Sequence, residues 1–297
     1  VSARSEPGPW TWPVTMGWED VCTGLSPVGT RGDLVGYTRR LWAWRHFIWE
    51  DARARALASQ RGTVLGNTWL VVRPMLDASV FFVVFGLLLD TSSGIDNYVA
   101  YLIIGVTLFQ PMQRAVTAGS QVMVSGRNLL RSFSFPRAAL PLSFTVRGAI
   151  DLLPPLAAVA VLIILLPPHA APGWTWLLTV PVFVLQQALC LGLTLVAACL
   201  TTALPDLRNL WGFATRFWYF ASGVFFSFET ILGSSQALAL VELNPGYLVL
   251  RLYRTCLLDG QVPSLRLWAL LAVWSLGLSA VGYVLFWWRE ESYGRER

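Results

Sequence analysis

Six apolar runs, near 69–89, 99–121, 142–166, 175–199, 210–228 and 266–288, constrain this chain more than any other feature. Each approaches the roughly twenty residues that a helix needs to cross the hydrocarbon core of a bilayer. No water is available there to satisfy backbone N–H and C=O groups, so runs of this kind fold as helices. Composition agrees. Hydrophobic residues make up 55% of the chain and charged ones 13%, the latter about half the share in a typical soluble domain. The expected class is all-α: a polytopic membrane protein with six transmembrane helices, a re-entrant helical hairpin between the fifth and sixth, and an N-terminal amphipathic interface helix. The expected divisions are a flexible N-terminal arm at 1–33, the interface helix at 34–66, the six-span domain at 67–288 and a cytoplasmic tail at 289–297.

The hairpin is read from a change of character after the fifth run. Leu210–Phe228 is apolar and packed with rings, among them Phe213, Phe217, Trp218, Tyr219, Phe220, Phe225 and Phe226. Glu229, Ser234, Ser235, Gln236, Glu242, Arg251 and Arg254 then interrupt the sequence. Ile231–Leu243 and Tyr247–Leu258 are apolar but too short to span, and Asn244-Pro245-Gly246 between them signals a turn. Two half-length helices that dip in and return fit this pattern. Such backbone is tolerated at membrane depth only inside protein or along a cavity. The alternative is a partly amphipathic hairpin lying on the outer surface.

Charge sets orientation and excludes several chemistries. The net charge is +5, and all 22 basic residues are arginine. Without lysine there is no phosphate-binding P-loop and no lysine Schiff base. Four cysteines, at 22, 190, 199 and 256, form no C-x-x-C pair, and two histidines lie far apart. No metal-ligand spacing appears, so no metal site is expected. Arg127, Arg131, Arg137, Arg208, Arg289, Arg295 and Arg297 lie in alternate connections and the tail, whereas Asp90–Tyr98 and Pro167–Trp174 hold none. Positive-inside logic places both termini in the cytoplasm, with Arg251 and Arg254 of the outer segment as the exception, balanced by Glu229, Glu242 and Asp259. The basic residues border the spans, which points to membrane lipids and not to nucleic acid.

Between 34 and 60, Tyr37, Leu41, Trp44 and Ile48 share one helix face, flanked by Arg39, Arg40 and Arg53. Aromatic rings beside arginine suit a helix in the headgroup plane, and docking on a partner is the alternative. Within the spans, Arg73 with Asp77 and Arg147 with Asp151 are i, i+4 pairs on one face. Arg114 has no local acid and should borrow one from another helix, since charge at membrane depth seeks a partner. A relay, a path for an anion and structural ion pairing all remain open for these charges.

Short motifs bring a resemblance. Ser59, Leu65-Gly66, Trp69 and Pro74, then Asn97-Tyr98, Tyr101 and Gly105, resemble the first- and second-span patterns of permeases in type-2 ABC polysaccharide exporters. Phe135-Pro136-Arg137 with Leu140-Pro141-Leu142, then Pro205-Asp206-Leu207-Arg208, Asn244-Pro245 and Tyr253-Arg254, follow in the same order, although the arginine of the R-D motif is displaced. The resemblance runs from about residue 34 to the C-terminus, and the arginine-only composition is most similar to mycobacterial-type galactan exporters. It implies a homodimer joined to two cytoplasmic ATPase subunits, which would hold ATP and Mg, while this chain carries no cofactor and no catalytic residue. It implies export of a polyprenyl-diphosphate-linked glycan across the bacterial cytoplasmic membrane. The path would be lined by Phe213, Phe217, Trp218, Tyr219, Phe220, Phe225 and Phe226. Arg114 and Arg216 depart from the pattern and would suit bidentate contact with the diphosphate. Arg127, Asn128, Arg131 and Arg137 form the inner loop expected to dock the motor. A drug or lipid exporter of similar architecture is the alternative; a membrane-embedded polyprenyl-glycan transferase is a remote one, since no base accompanies Asp90 and Asp96.

Overall fold

The computed structural model describes residues 33–58, 66–84, 97–132, 135–165, 173–228 and 235–290. The arm at 1–32, Cys22, most of the connections at 90–98 and 167–174, Glu229 and the tail at 291–297 lie outside the described residues. Twelve α-helices follow in order among those that are described: α1 (Leu34–Ala43), α2 (Arg45–Ala58), α3 (Trp69–Phe81), α4 (Tyr98–Thr117), α5 (Val122–Ser125), α6 (Arg127–Ser132), α7 (Ala139–Leu165), α8 (Thr179–Ala203), α9 (Leu207–Ala221), α10 (Ser235–Val241), α11 (Pro245–Leu257) and α12 (Leu265–Trp288). The described residues contain no strand.

Among the described residues, four stretches are long and apolar enough to cross a bilayer: Tyr98–Leu129, Ala139–Leu165, Trp174–Ala203 and Leu265–Trp288. They coincide with the second, third, fourth and sixth expected spans. The first expected span begins as α3, and its continuation at 85–89 lies outside the described residues.

The fifth differs from expectation. Leu210–Phe228 is not one helix, because α9 stops at Ala221 after 15 residues. Gly223 follows with φ +64°, the left-handed conformation that ends helices at glycine without a Cβ penalty. Val224 and Phe225 then turn fully inward. Phe225 and Phe226 therefore continue no face of α9. Short helices α10 and α11 follow, with Asn244 capping α11 by accepting from the Gly246 N–H at 2.9 Å.

Helix α4 is the centre of the bundle. It is buried along most of its length and packs against α3, α7, α8, α9 and α11. Helix α12 lies along α8 so closely that a Cβ on Gly192 would sit 2.6 Å from the backbone of Leu278. Small residues at such contacts let membrane helices approach and gain dispersion contacts. A second core joins α1 and α2 to Ala138–Leu140 and to Phe286 near the end of α12. The apolar face of the N-terminal helices is turned into this core: Tyr37, Leu41 and Ile48 are buried, while Trp42 and Trp49 on the other side are exposed. The chain breaks between α1 and α2 at Trp44, so the expected single helix is two.

Candidate functional site

Helix α9 presents two unlike sides. Phe213 and Phe217 are each 71% exposed and Phe220 is 44% exposed. With the exposed Arg216 they form one stripe by their i, i+3, i+4, i+7 spacing. Trp218 and Tyr219 turn the other way. Their rings meet Phe109 of α4 edge-on at 5.0 and 5.1 Å, and Tyr219 also meets Phe81 and Phe225. Of the seven rings expected on a path, three are thus outward on α9, two are packing on its inner side, and Phe225 and Phe226 lie beyond its end. Phe225 is fully buried.

A polar network holds α9 in place. Trp218 Nε1 donates to Asn244 Oδ1 at 2.7 Å, and Asn244 Nδ2 donates to the Ala221 carbonyl at 2.9 Å. The turn after α9 leaves carbonyls without helical partners, and arginine and tyrosine collect them. Arg254 donates to the carbonyls of Gly223 at 2.9 Å, Val224 at 3.0 Å and Tyr101 at 3.2 Å. Its guanidinium lies 3.3 Å from the Tyr101 ring centroid. Tyr101 donates to Phe226 O at 2.9 Å and Tyr98 to Phe225 O at 2.8 Å. Gly105 is required by this packing, since a Cβ there would lie 2.7 Å from Arg254 Nη2. Tyr98, Tyr101, Gly105, Asn244 and Arg254, which carry the sequence resemblance, therefore meet in one network. The neighbouring Arg251 pairs with Glu242 at 2.7 Å, and Arg266 approaches the same carboxylate at 3.1 Å.

The intramembrane charges gather elsewhere. Between α4, α7 and α8 lies a cavity of about 390 Å³ lined by Arg114, Arg147, Asp151, Gln110, Gln187 and Thr107, among others. Arg147 Nε pairs with Asp151 at 3.4 Å. Arg114 donates to Gln110 Oε1 at 3.1 Å and lines the same cavity as Asp151. Of the two arginines expected to contact a diphosphate, Arg114 lines this space, whereas Arg216 stands exposed on α9. Asp77 is half-buried near Tyr219; the Arg73 side chain lies outside the described residues. No group of three metal-ligating side chains occurs among the described residues.

A family profile for the ABC-2 type transporter matches residues 52–258. The chain belongs to the ABC-2 type transporter family. The match covers the cavity, α9 and its anchor, and ends at Leu258, one residue after α11. The chain is also similar to an O-antigen export system permease protein RfbA of Myxococcus xanthus, 23% identical over 86% of this chain and 94% of that one. Two RfbA permeases of Klebsiella pneumoniae are 20% identical, one over 76% of this chain and 85% of its own length, the other over 58% and 65%.

This ABC-2 permease is a multi-pass membrane protein whose expected motor-docking loop falls into two parts. Arg127 and Asn128 open α6 and are exposed; the Arg131 side chain lies outside the described residues. Arg137 is engaged within the chain. Its guanidinium donates to the Glu290 carbonyl, and its backbone N–H donates to Glu290 Oε1 at 3.4 Å. Tyr37 faces the same carboxylate and accepts from the Ala138 N–H at 3.2 Å. Sequence reasoning missed Glu290 because its partners lie 153 residues away or more, beyond any local pattern.

Burial raises the Glu290 pKa above its ordinary 4.5, and Tyr37, Arg137 and Arg40 only partly oppose the rise. One carboxylate oxygen is buried without a hydrogen-bond partner, which a proton would remedy. A carboxyl whose folded pKa is raised binds protons more readily folded than unfolded. Its contribution is complete below about pH 4.5 and is lost as pH rises through the higher folded value. Thermal unfolding in detergent should therefore show the Glu290 contribution weakening as pH climbs above about 4.5. Glu290→Gln should flatten that slope; an unchanged slope would show that Glu290 titrates normally.

Proposed function

We propose that this chain is the transmembrane subunit of an ABC exporter that carries a polyprenyl-diphosphate-linked, galactan-like polysaccharide across the bacterial cytoplasmic membrane. The exposed ring stripe of α9 carries this reading. Phe213, Phe217 and Phe220 stand outward on a helix whose other side is locked by hydrogen bonds and ring contacts. Sugar rings present apolar faces to aromatic side chains with few directional bonds, which suits a polymer sliding past many equivalent units. A lone stripe cannot enclose a chain, so two copies facing each other would form the conduit. Arg216, on the same stripe, is placed to meet the diphosphate at its leading end. The names of the similar permeases supply the polysaccharide class, and the sequence resemblance supplies the galactan and its lipid carrier. The α10–α11 hairpin, tied to α9 through Asn244, is assigned to an outer re-entrant gate.

The sequence has no lysine with which to build a P-loop, which supports ATP and Mg being held by two partner ATPase subunits, docked in this reading at α6. Both termini and α6 are placed on the cytoplasmic side. Because Arg137 holds Glu290, the coupling test belongs to the other arginines. Arg127→Glu with Arg131→Glu should leave the permease folded, release the copurifying ATPase, and reduce export at least tenfold. The readouts are subunit stoichiometry after affinity purification and glycan appearing outside the membrane. A double variant that keeps both its ATPase and its export would reject α6 as the coupling element. A permease from which no ATPase ever copurifies would reject the exporter reading.

A further inference from the structure

The cavity between α4, α7 and α8 takes no part in the aromatic stripe, and its chemistry is specific. It holds two guanidiniums against one carboxylate among its described lining residues. Gln187 adds a buried amide nitrogen with no hydrogen-bond partner. Acceptors are present too. Pro111 and Pro155 line the cavity beside Thr107 and Asp151, the residues four before them. A helical proline brings no N–H to the carbonyl four residues earlier, so both carbonyls lose their helical donor. A bare phosphate offers only acceptors and would serve half of this lining. A phosphate that also bears hydroxyls serves both halves.

Access and position fit a lipid. The Arg147 side chain is 32% exposed, so its charge is reachable from outside the bundle. Arg147 lies eight residues into α7, about 12 Å from the end of the helix that packs on α2. Farther along, α7 exposes Leu153, Val161 and Ile164, apolar surface of the kind an acyl or prenyl tail covers. Basic pockets between spanning helices near the cytoplasmic face are suited to anionic headgroups. A volume of about 390 Å³ falls at the lower end of small-ligand sites, roughly 300–1,000 Å³.

We propose that this cavity binds the hydroxyl-bearing phosphate headgroup of a lipid, with Arg147 and Arg114 on the phosphate, Gln187 donating to it, and the carbonyls of Thr107 and Asp151 receiving the hydroxyls. The site stands apart from the aromatic stripe and does not depend on the glycan reading. Two lipids share the chemistry: a bilayer phosphatidylglycerol and a polyprenyl-diphospho-sugar.

The fold offers a clean block. A Cβ added at Gly148, which lines the cavity, would meet nothing within 4 Å. Gly148→Leu therefore starts its side chain in open space at the cavity wall, and leucine is the better helix former. The full chain in detergent would be titrated with dioctanoyl phosphatidylglycerol, farnesyl-diphospho-N-acetylglucosamine and, as control, dioctanoyl phosphatidylcholine. At least one of the first two should bind saturably. Gly148→Leu and Arg147→Gln should each weaken that binding at least tenfold, and Asp151→Asn should tighten it severalfold by removing the competing negative charge. The tighter of the two probes identifies the source. Binding that ignores Gly148→Leu, an Asp151→Asn variant as weak as Arg147→Gln, or no saturable binding of either probe would overturn the site. Should Gly148→Leu not fold, the opposite signs at 147 and 151 still decide. None of these titrations involves transport, so their failure leaves the exporter reading standing, and failure of export leaves the site standing.

Discussion

Arg254→Met should lower the thermal stability and the yield of folded protein. The side chain is 6% exposed and supplies donors to three carbonyls, two of them in the turn that follows α9. Methionine roughly fills the volume and brings no donor. Val224 O loses its donor, Gly223 O keeps only the 3.3 Å bond from Tyr101, and Tyr101 O keeps its helical N–H; a buried acceptor left unsatisfied costs about 1–3 kcal/mol, a sizeable share of an ordinary domain's stability. Arg254→Lys keeps the charge but not the planar fork and should fall between. Gly105→Ala attacks the same contacts from α4, where its Cβ would lie 2.7 Å from the guanidinium and 2.8 Å from the Val224 carbonyl. The measurement is monodispersity and thermal unfolding in detergent. An Arg254→Met protein that unfolds within a degree or two of the parent would show that the network does not support the turn.

That network shows which parts of the fold were legible in the sequence. Apolar runs of spanning length located α4, α7, α8 and α12, because burial of the backbone in lipid forces helix over the whole run. The same reasoning overextended the fifth run. Its hydropathy continues past Ala221, but Gly223 and the collection of the freed carbonyls by Arg254, Tyr101 and Tyr98 make a turn cheaper than another turn of helix. The i, i+4 spacing of Arg147 and Asp151 forecast a contact that is present at 3.4 Å. An acid for Arg114 was foreseen as a need, and the packing of α4 against α7 brings Asp151 to the same cavity. Tyr37 and Glu290 sit at opposite ends of the sequence with nothing periodic to join them. The amphipathic pattern of α1 and α2 was legible too, whereas its destination was not: the same apolar face fits a headgroup layer or a protein core, and here Tyr37, Leu41 and Ile48 enter the core.

Alanine substitution along α9 should split the rings into two classes. Phe109 and Phe225 are fully buried, and a buried phenylalanine replaced by alanine costs about 3–5 kcal/mol through lost transfer energy and the cavity left behind. Phe225→Ala should therefore fail to accumulate. Trp218→Ala should join it, since the change also removes one of the two donors to Asn244 Oδ1, at 2.7 Å, and leaves only the Gly246 N–H. Phe213 and Phe217, 71% exposed, and Phe220, 44% exposed, have little packing to lose, and surface changes of this kind usually fall within about 0.5 kcal/mol. Phe213→Ala with Phe217→Ala should thus keep its thermal stability while glycan export falls at least tenfold. Lipid contact makes the opposite forecast for the same stripe, because acyl chains tolerate alanine as readily as phenylalanine and transport would continue. A leucine pair at 213 and 217 sharpens the contrast: it restores apolar area and volume but not the flat ring. Export that returns with leucine would assign the stripe to lipid or to generic packing between copies, and export that stays low in a stable leucine variant would assign it to the faces of sugars.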